Sequence, residues 1–250
     1  AMPPISASVA AALRALGLRK AGTPLAIAST PVSAVQPEAK ARMDELIRKG
    51  LAGSVFVKKH EDTDTEIETL LDPTGLLAIP TGYTDVGRLT KDQGVTWTRD
   101  IETADVTSLG ASQPTRRDII ADVTGLQFTM QESKRQVLEI HHGMDLAGVT
   151  TDADGNFYFD KPARPASRQY RVLALGKDGD GPDAIYVARW LPRVDVTENG
   201  EQAWTEGEEI KYPVTMNGKV DKEFGTSFRE IWGGPGLDHV AMGFPAPAGP

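Results

Sequence analysis

The sequence offers only a few side chains that could bind a metal ion. Asp152, Asp154 and Asn156 recur at every second position, as in the first half of a calcium-binding loop. The twelfth position of such a loop needs a bidentate glutamate, and here it is Ala163. We therefore interpret this stretch as a turn closed by the Asp152 side chain, not as a calcium site.

Two of the four histidines are adjacent, His141 and His142. Neighbouring residues on a helix point about 100° apart, so the two rings cannot easily bind one metal ion. His60 and His239 are too distant in sequence to be placed beside them. We expect one packed and one exposed imidazole, and no metal site.

Catalytic motifs are equally weak. The acidic, threonine-rich stretch from Glu61 to Glu68 could supply paired carboxylates for hydrolysis, but its composition is typical of a solvated loop. Gly233–Gly236 lacks the strand–turn–helix context of a nucleotide-binding loop. There is no G-x-S-x-G, H-E-x-x-H or P-loop motif, and no cysteine. We predict a protein that is not an enzyme and has no cofactor.

Charge is distributed unevenly along the 250 residues. Residues 1–53 contain seven Lys/Arg and three Asp/Glu, a formal charge of +4, whereas residues 54–250 contain 20 and 32, a charge of −12. Solubility alone could explain an acidic body. The alternative is that the basic segment docks on acidic surface of its own or a neighbouring subunit.

The pattern of apolar residues places a strand and a helix at the centre of the chain. Leu126, Phe128 and Met130 alternate with polar residues, which predicts a half-buried strand, with a bend at Gly125. Ser133 and Gln136 have the spacing of a capping box, and Gly143 is placed to end a short helix. The candidate core residues are Leu126, Phe128, Met130, Val137 and Leu138.

The remaining sequence suggests three parts. Residues 1–53 form a predicted helical extension, with helices over 3–20 and 37–49, and residues 237–250 form a Gly/Pro-rich tail. Residues 54–236 contain many short predicted strands, including Phe157–Phe159, with a hairpin turn at Asn217–Gly218. The sequence predicts a mainly β domain, a sandwich or barrel with one short flanking helix.

Three blocks of this sequence together resemble a known family. They are YTDVGRLTKDQGVTW (Tyr83 to Trp97), LQFTMQESKRQVLEIHHG (Leu126 to Gly143) and YPVTMNGKVDKEFGTSFREIWGGPG (Tyr212 to Gly236). In this order they resemble the major tail proteins, or tail tube proteins, of long-tailed bacteriophages, especially those of actinobacterial hosts. Residues 1–53 have no counterpart in the resemblance.

The resemblance implies a structural virion protein of β-sandwich-like fold. Its subunits would form hexameric rings that stack into a hollow tube, assembled in the host cytoplasm. The implied partners are further copies of the chain, other tail proteins at the tube ends and double-stranded DNA in transit, without membrane insertion. The candidate inter-subunit contacts are Ser108, Gln113, Arg116, Arg117, Lys134 and Arg135. For the four basic residues, ordinary surface charge is the alternative.

A second function remains open at this stage, that of a secreted β-sandwich module binding carbohydrate or protein. Such a module would need exposed aromatic residues clustered on one face. The four tryptophans lie in or beside predicted strands, which favours core or interface positions; they are Trp97, Trp190, Trp204 and Trp232.

Overall fold

The computed structural model describes residues 43–50, 52–61, 64–73, 75, 77–164 and 166–245. The helix predicted over 3–20, the first six residues of that over 37–49 and the end of the tail lie outside the described residues. The chain divides into two units between Ile47 and Arg48. In the described part of the first, Asp44–Leu46 is a single 3-10 turn and Ile47 is extended, so the second predicted helix does not continue to Lys49.

The second unit consists mainly of strands. In chain order the elements are β1 (Ala52–Lys59), β2 (Thr84–Asp85), β3 (Val95–Val106), β4 (Arg116–Met130), α1 (Arg135–His142), β5 (Gln169–Asp178), β6 (Ile185–Asn199), β7 (Tyr212–Gly218) and β8 (Arg229–Gly233). The mainly β prediction is confirmed. β1 begins two residues before the predicted boundary at Ser54.

All eight strands belong to one antiparallel sheet in the order β2-β1-β5-β6-β7-β4-β3, and β8 pairs with the first half of β6. Residues 84–90 connect the two ends of this order. Thr84 and Asp85 pair with β1, and Leu89 forms a bridge to Met130 of β4. These pairings curl the sheet into a barrel-like ring, which agrees with the predicted sandwich or barrel class.

Alternation along the strands directs one set of apolar side chains into the ring. Four of the predicted core residues, Leu126, Phe128, Met130 and Val137, are buried there, and Leu138 is half-buried against them. A second apolar cluster packs on the outer face of β5 and β6. Its buried members are Ile67, Leu70, Leu173, Ala188, Trp190 and Ile231.

Helix α1 begins and ends by different means. Gly143 has φ +64°, and Met144 N–H donates to Glu139 O at 3.0 Å, so the predicted glycine C-terminus is confirmed. The predicted capping box is wrong, because Lys134 is the N-cap and makes no side-chain cap bond. Ser133 instead bonds the Tyr212 hydroxyl, and Gln136 donates to Val57 O; tertiary contacts have replaced the local ones.

Two glycines have roles different from those predicted. At Gly125 the pairing is regular on both sides, so no bulge marks the predicted bend. A Cβ there would lie 2.6 Å from the Asn217 side chain and 2.7 Å from that of Thr98, so close packing explains the glycine. The predicted turn at Asn217–Gly218 is also wrong, because both residues belong to β7 and Gly218 packs closely against Leu191.

The long connection between α1 and β5 contains the turn that resembled half of a calcium loop. Asp152 Oδ1 accepts the backbone N–H groups of Asp154 and Asn156 at 2.9 and 2.8 Å. The side chain is therefore occupied in closing the turn, as predicted. The strand predicted over Phe157–Phe159 does not form, and both Phe157 and Tyr158 are exposed.

Candidate assembly surface

The longest hairpin of the sheet extends well beyond the barrel. β4 pairs with β7 only over Gly125–Met130, whereas it pairs with β3 as far as Arg116. Beyond Gly125 the two strands of the hairpin pair only with each other. We call this part, residues 99–124, the arm. The eight β3 residues of the arm would span roughly 25 Å at about 3.3 Å per residue. The sequence predicted short strands in residues 54–236, not a hairpin of this length.

One face of the arm continues the inner face of the barrel. Directly paired residues share a face, so Trp97, Ile101 and Ile119 follow Leu126 along one side. Within the barrel this side is buried; on the arm Ile101 is 44% exposed and Ile119 63% exposed. The arm therefore presents two exposed isoleucines among polar side chains, on a face that is apolar and buried within the barrel.

Cross-strand ion pairs flank the exposed isoleucines on the same face. Arg117 donates two hydrogen bonds to Asp105, at 2.7 and 2.9 Å, and Arg99 donates two to Asp122, at 2.9 and 2.6 Å. Hydrogen bonds from the arginines lower the pKa of Asp105 and of Asp122. The pairs are exposed, so water screens them and they can exchange partners at little cost.

The remaining sequence-predicted contact residues are also exposed, but lie at two distant places. Ser108 and Gln113 lie in the tip of the hairpin, where the Ser108 and Thr115 hydroxyls are 2.9 Å apart. Arg116 is paired with Asp118 at the start of β4. Lys134 and Arg135 lie at the start of α1, where they pair with Glu132 and Glu139.

The base of the arm is closed by aromatic residues. Trp97 and Phe228 pack edge to face with ring centroids 6.2 Å apart, and both contact the inner core. The Arg189 guanidinium lies 5.0 Å above the Trp97 ring and pairs with Glu230. A groove of about 600 Å³ lies here, lined also by Arg99 and other arm residues.

The two adjacent imidazoles pack against aromatic neighbours. His141 is buried and packs edge to face on both His142 and Tyr212, and His142 is half-buried, so the predicted packed-and-exposed pair is only half right. Burial lowers the pKa of both histidines. Among the described residues there is no group of three or more His, Asp or Glu suited to a metal ion, and no helix long and apolar enough to cross a membrane.

The described part of the acidic stretch is not the solvated loop that we predicted. Asp64 forms ion pairs with Arg171 and Lys58, Glu66 pairs with Arg229, and Ile67 is buried. The stretch therefore packs on the outer face of the sheet. Its only sequence signal is Ile67 within an otherwise polar run.

Among the described residues the geometry is that of a mainly β subunit with a barrel, a long exposed arm and strand edges without partners. A family model described as phage tail tube protein matches residues 41–222. The chain belongs to this family and is a structural component of the phage tail. Membership implies assembly with itself and with other tail proteins. No curated protein matches the chain.

Proposed function

We propose that this chain forms hexameric rings that stack into the hollow tail tube through which the phage genome passes into the host. The observation that carries the proposal is the arm, whose face with Ile101 and Ile119 continues the inner side of the barrel and is not covered by any of the described residues. Family membership supports a further copy as the covering partner. Assembly takes place in the host cytoplasm, and other tail proteins contact the ends of the tube.

Ring closure uses the strand edges. Among the described residues β3 pairs only with β4, so its outer edge has no strand partner along twelve residues. At the other end of the sheet, β1 pairs with β2 only at Phe56 and Val57. Unpaired edges promote association in a soluble chain. A head-to-tail contact between the β3 edge of one copy and the β1 edge of the next closes a ring.

Stacking needs a second contact along the tube axis. β4 and β6 end, and β7 begins, at the barrel end where α1 lies, whereas the arm extends from the other end. The subunit therefore has two different ends. We assign the axial contact to the arm of one ring and the α1 end of the next, which brings both groups of candidate contacts, around Arg117 and Arg135, into one interface.

The acidic body suits a conduit for DNA. Residues 54–250 carry a formal charge of −12, and duplex DNA has about one negative charge per 1.7 Å. A basic wall would hold the duplex by counterion release, whereas an acidic wall repels it within about 8–10 Å. The duplex then slides without specific contacts. A net positive inner wall in an experimental tube structure would contradict this role.

The proposed division into parts is 1–53 as an extension, 54–236 as the tube domain and 237–250 as a tail. We propose that the +4 extension docks on acidic surface and strengthens the tube. Deleting residues 1–47 spares β1, so the body should fold and form shorter or more salt-sensitive tubes. Tubes of unchanged length and salt resistance would exclude this role.

Negative-stain microscopy of the concentrated protein tests the main proposal. We expect rings and tubes from the wild type, and none from a variant in which residues 102–121 are replaced by an Asn-Gly turn. Val220→Ala, an exposed substitution outside the arm, is the control. A wild type that remains monomeric at high concentration would favour the binding module instead. Circular dichroism shows whether each variant retains its β structure.

A further inference from the structure

A fully buried arginine lies on the outer side of the barrel wall. Arg171 is in β5 between Tyr170 and Val172, which both point into the barrel, so its side chain points outward. It is 0% exposed. An arginine without ion partners in such a position would be strongly destabilising, because its charge cannot be removed by deprotonation.

Five groups from three parts of the chain surround the guanidinium. Nε donates to Asp64 at 2.6 Å, Nη1 donates to Asp221 at 2.8 Å and to Pro192 O at 2.7 Å, and Nη2 donates to Glu61 O at 2.7 Å. The ring of Phe224 lies 4.8 Å from the guanidinium carbon. The bonds use all three nitrogens.

The two carboxylates belong to segments without regular secondary structure. Asp64 lies between β1 and β2, and Asp221 begins a turn between β7 and β8, closed by the Gly225 N–H bond to Asp221 O at 2.8 Å. We call residues 64–71 and 221–226 the outer layer. Ile67 and Leu70 attach it to the outer apolar cluster, and Phe224 packs on Trp190.

The outer layer and the barrel interior have separate cores. The buried residues of the inner cluster come from strands, α1, and Val86, and none comes from the outer layer. Those of the outer cluster lie on the opposite face of β5 and β6 and include Ile67 and Leu70. The sheet therefore separates two apolar clusters. On the outer side Arg171 is the fully buried ionic link, beside the more exposed pairs Lys58–Asp64 and Arg229–Glu66.

We propose that Arg171 is a lock that holds the outer layer closed on the barrel, and that opening the lock releases this layer as one unit while the barrel remains folded. Without Arg171, Asp64 retains Lys58 and Asp221 retains His60, but both carboxylates lose their fully buried partner. Their desolvation cost is relieved when the segments that carry them move into water. Partly independent units of this kind are common in native proteins. The lock does not depend on the proposed tube.

Other charged groups around the lock set its response to pH. Lys58 pairs with Asp64, His60 Nε2 lies 2.9 Å from Asp221, and Glu223 is 3.9 Å from Arg171. Burial raises the pKa of both aspartates, but hydrogen bonds and charge interactions outweigh burial, so both pKa values are lowered. At Asp64 these interactions come from Lys58 and Arg171. At Asp221 they come from the Glu223 N–H, His60 and Arg171. Carboxylates with lowered pKa stabilise the fold above their ordinary pKa. The lock is therefore closed at neutral pH.

Hydrogen exchange followed by mass spectrometry, on the full chain below its assembly concentration, tests the proposal. In Arg171→Met we expect amides of residues 64–71 and 221–226 to exchange at least tenfold faster. Amides of Leu126–Met130 and Tyr212–Met216 should change less than twofold. Arg189→Met is the matched control, because Arg189 also pairs with a carboxylate, that of Glu230, and lies over an aromatic ring, that of Trp97, but is half-exposed. It should leave the outer layer unchanged.

Two outcomes would overturn the lock. One is uniform acceleration over the outer layer and the barrel, which would show that Arg171 supports the whole fold. The other is unchanged exchange in residues 64–71 and 221–226. If Arg171→Met does not fold, Asp64→Asn removes one partner while preserving its size and is judged by the same two criteria.

Discussion

Strand β4 lies in two environments that differ in burial and in neighbouring elements, although its pairing with β3 continues through both. Over Gly125–Met130 it has a strand on each side and α1 beneath it, and its alternate residues are completely buried. Over Arg116–Thr124 it pairs with β3 alone, and Ile119 and Ile120 are exposed. The strand is therefore part of an exposed ribbon over Arg116–Thr124 and part of the barrel wall over Gly125–Met130. Strand pairing alone therefore does not bury apolar side chains, because burial requires a second layer of structure packed on the sheet.

The arginines show the same contrast. Arg171 and Arg117 each bond aspartate. Arg171 is fully buried and its partners come from three parts of the chain, whereas 62% of the Arg117 side chain is exposed. Buried pairs fix one conformation, because breaking them leaves an uncompensated charge. Exposed pairs contribute little to stability and remain free to meet another subunit. We therefore expect the barrel to keep a single conformation and the arm to contact another subunit.

Phe128→Ala should show the largest difference between the two regions. The side chain is fully buried in the inner core, so its removal should reduce the free energy of unfolding by about 3–5 kcal/mol. Ile120→Ala, on the exposed arm in the same strand, is the control and should have little effect. Thermal melts of the soluble single variants measure both. Equal midpoints would mean that the core has been misplaced.

Gly125→Ala tests the boundary at which barrel becomes arm. A Cβ would lie within 2.7 Å of two side chains from the neighbouring strands, so those strands must shift. Overpacking of this kind costs about 1–3 kcal/mol. We expect a lower denaturation midpoint in urea. Gly110→Ala in the hairpin tip, where a Cβ meets nothing within 4 Å but φ is +85°, separates steric crowding from backbone strain.

Asp64→Asn should change how stability depends on pH. The lowered pKa of Asp64 means that its contribution is complete above the ordinary value near 3.9 and is lost as pH falls through the lower value in the folded protein. The variant should therefore lose less stability than the wild type between neutral and acidic pH. Urea titrations at several pH values measure this slope, with the exposed Asp154→Asn as the control. Parallel curves for wild type and Asp64→Asn would contradict the assignment.

Sequence reasoning succeeded where one local pattern determined the result. Alternation at Leu126, Phe128 and Met130 placed the buried strand, and Gly143 placed the end of the helix. It failed where distant contacts took priority over local signals: Ser133 bonds Tyr212 instead of capping α1, and Asn217–Gly218 continues a strand. Only one feature of the sequence marks Arg171: it is the single charged residue in the otherwise apolar run Tyr170–Leu175. Neither its partners nor the exposure of the arm could be predicted, because both depend on the closed barrel.

The double variant Ile101→Ser, Ile119→Ser should have the smallest effect on the isolated chain and yet a large one on assembly. Both side chains are already in contact with water on the arm, so the melting temperature of the monomer should change little. If the arm face is covered by a neighbouring copy, the same change removes apolar contact area at its centre and tubes should be lost. Sedimentation and negative-stain microscopy measure assembly. Val106→Ser, on the opposite face of the same arm, is the matched control, because it removes a similar exposed side chain. Unimpaired assembly of the double variant would show that this face is not the contact, whereas equal impairment by Val106→Ser would show that both faces are covered.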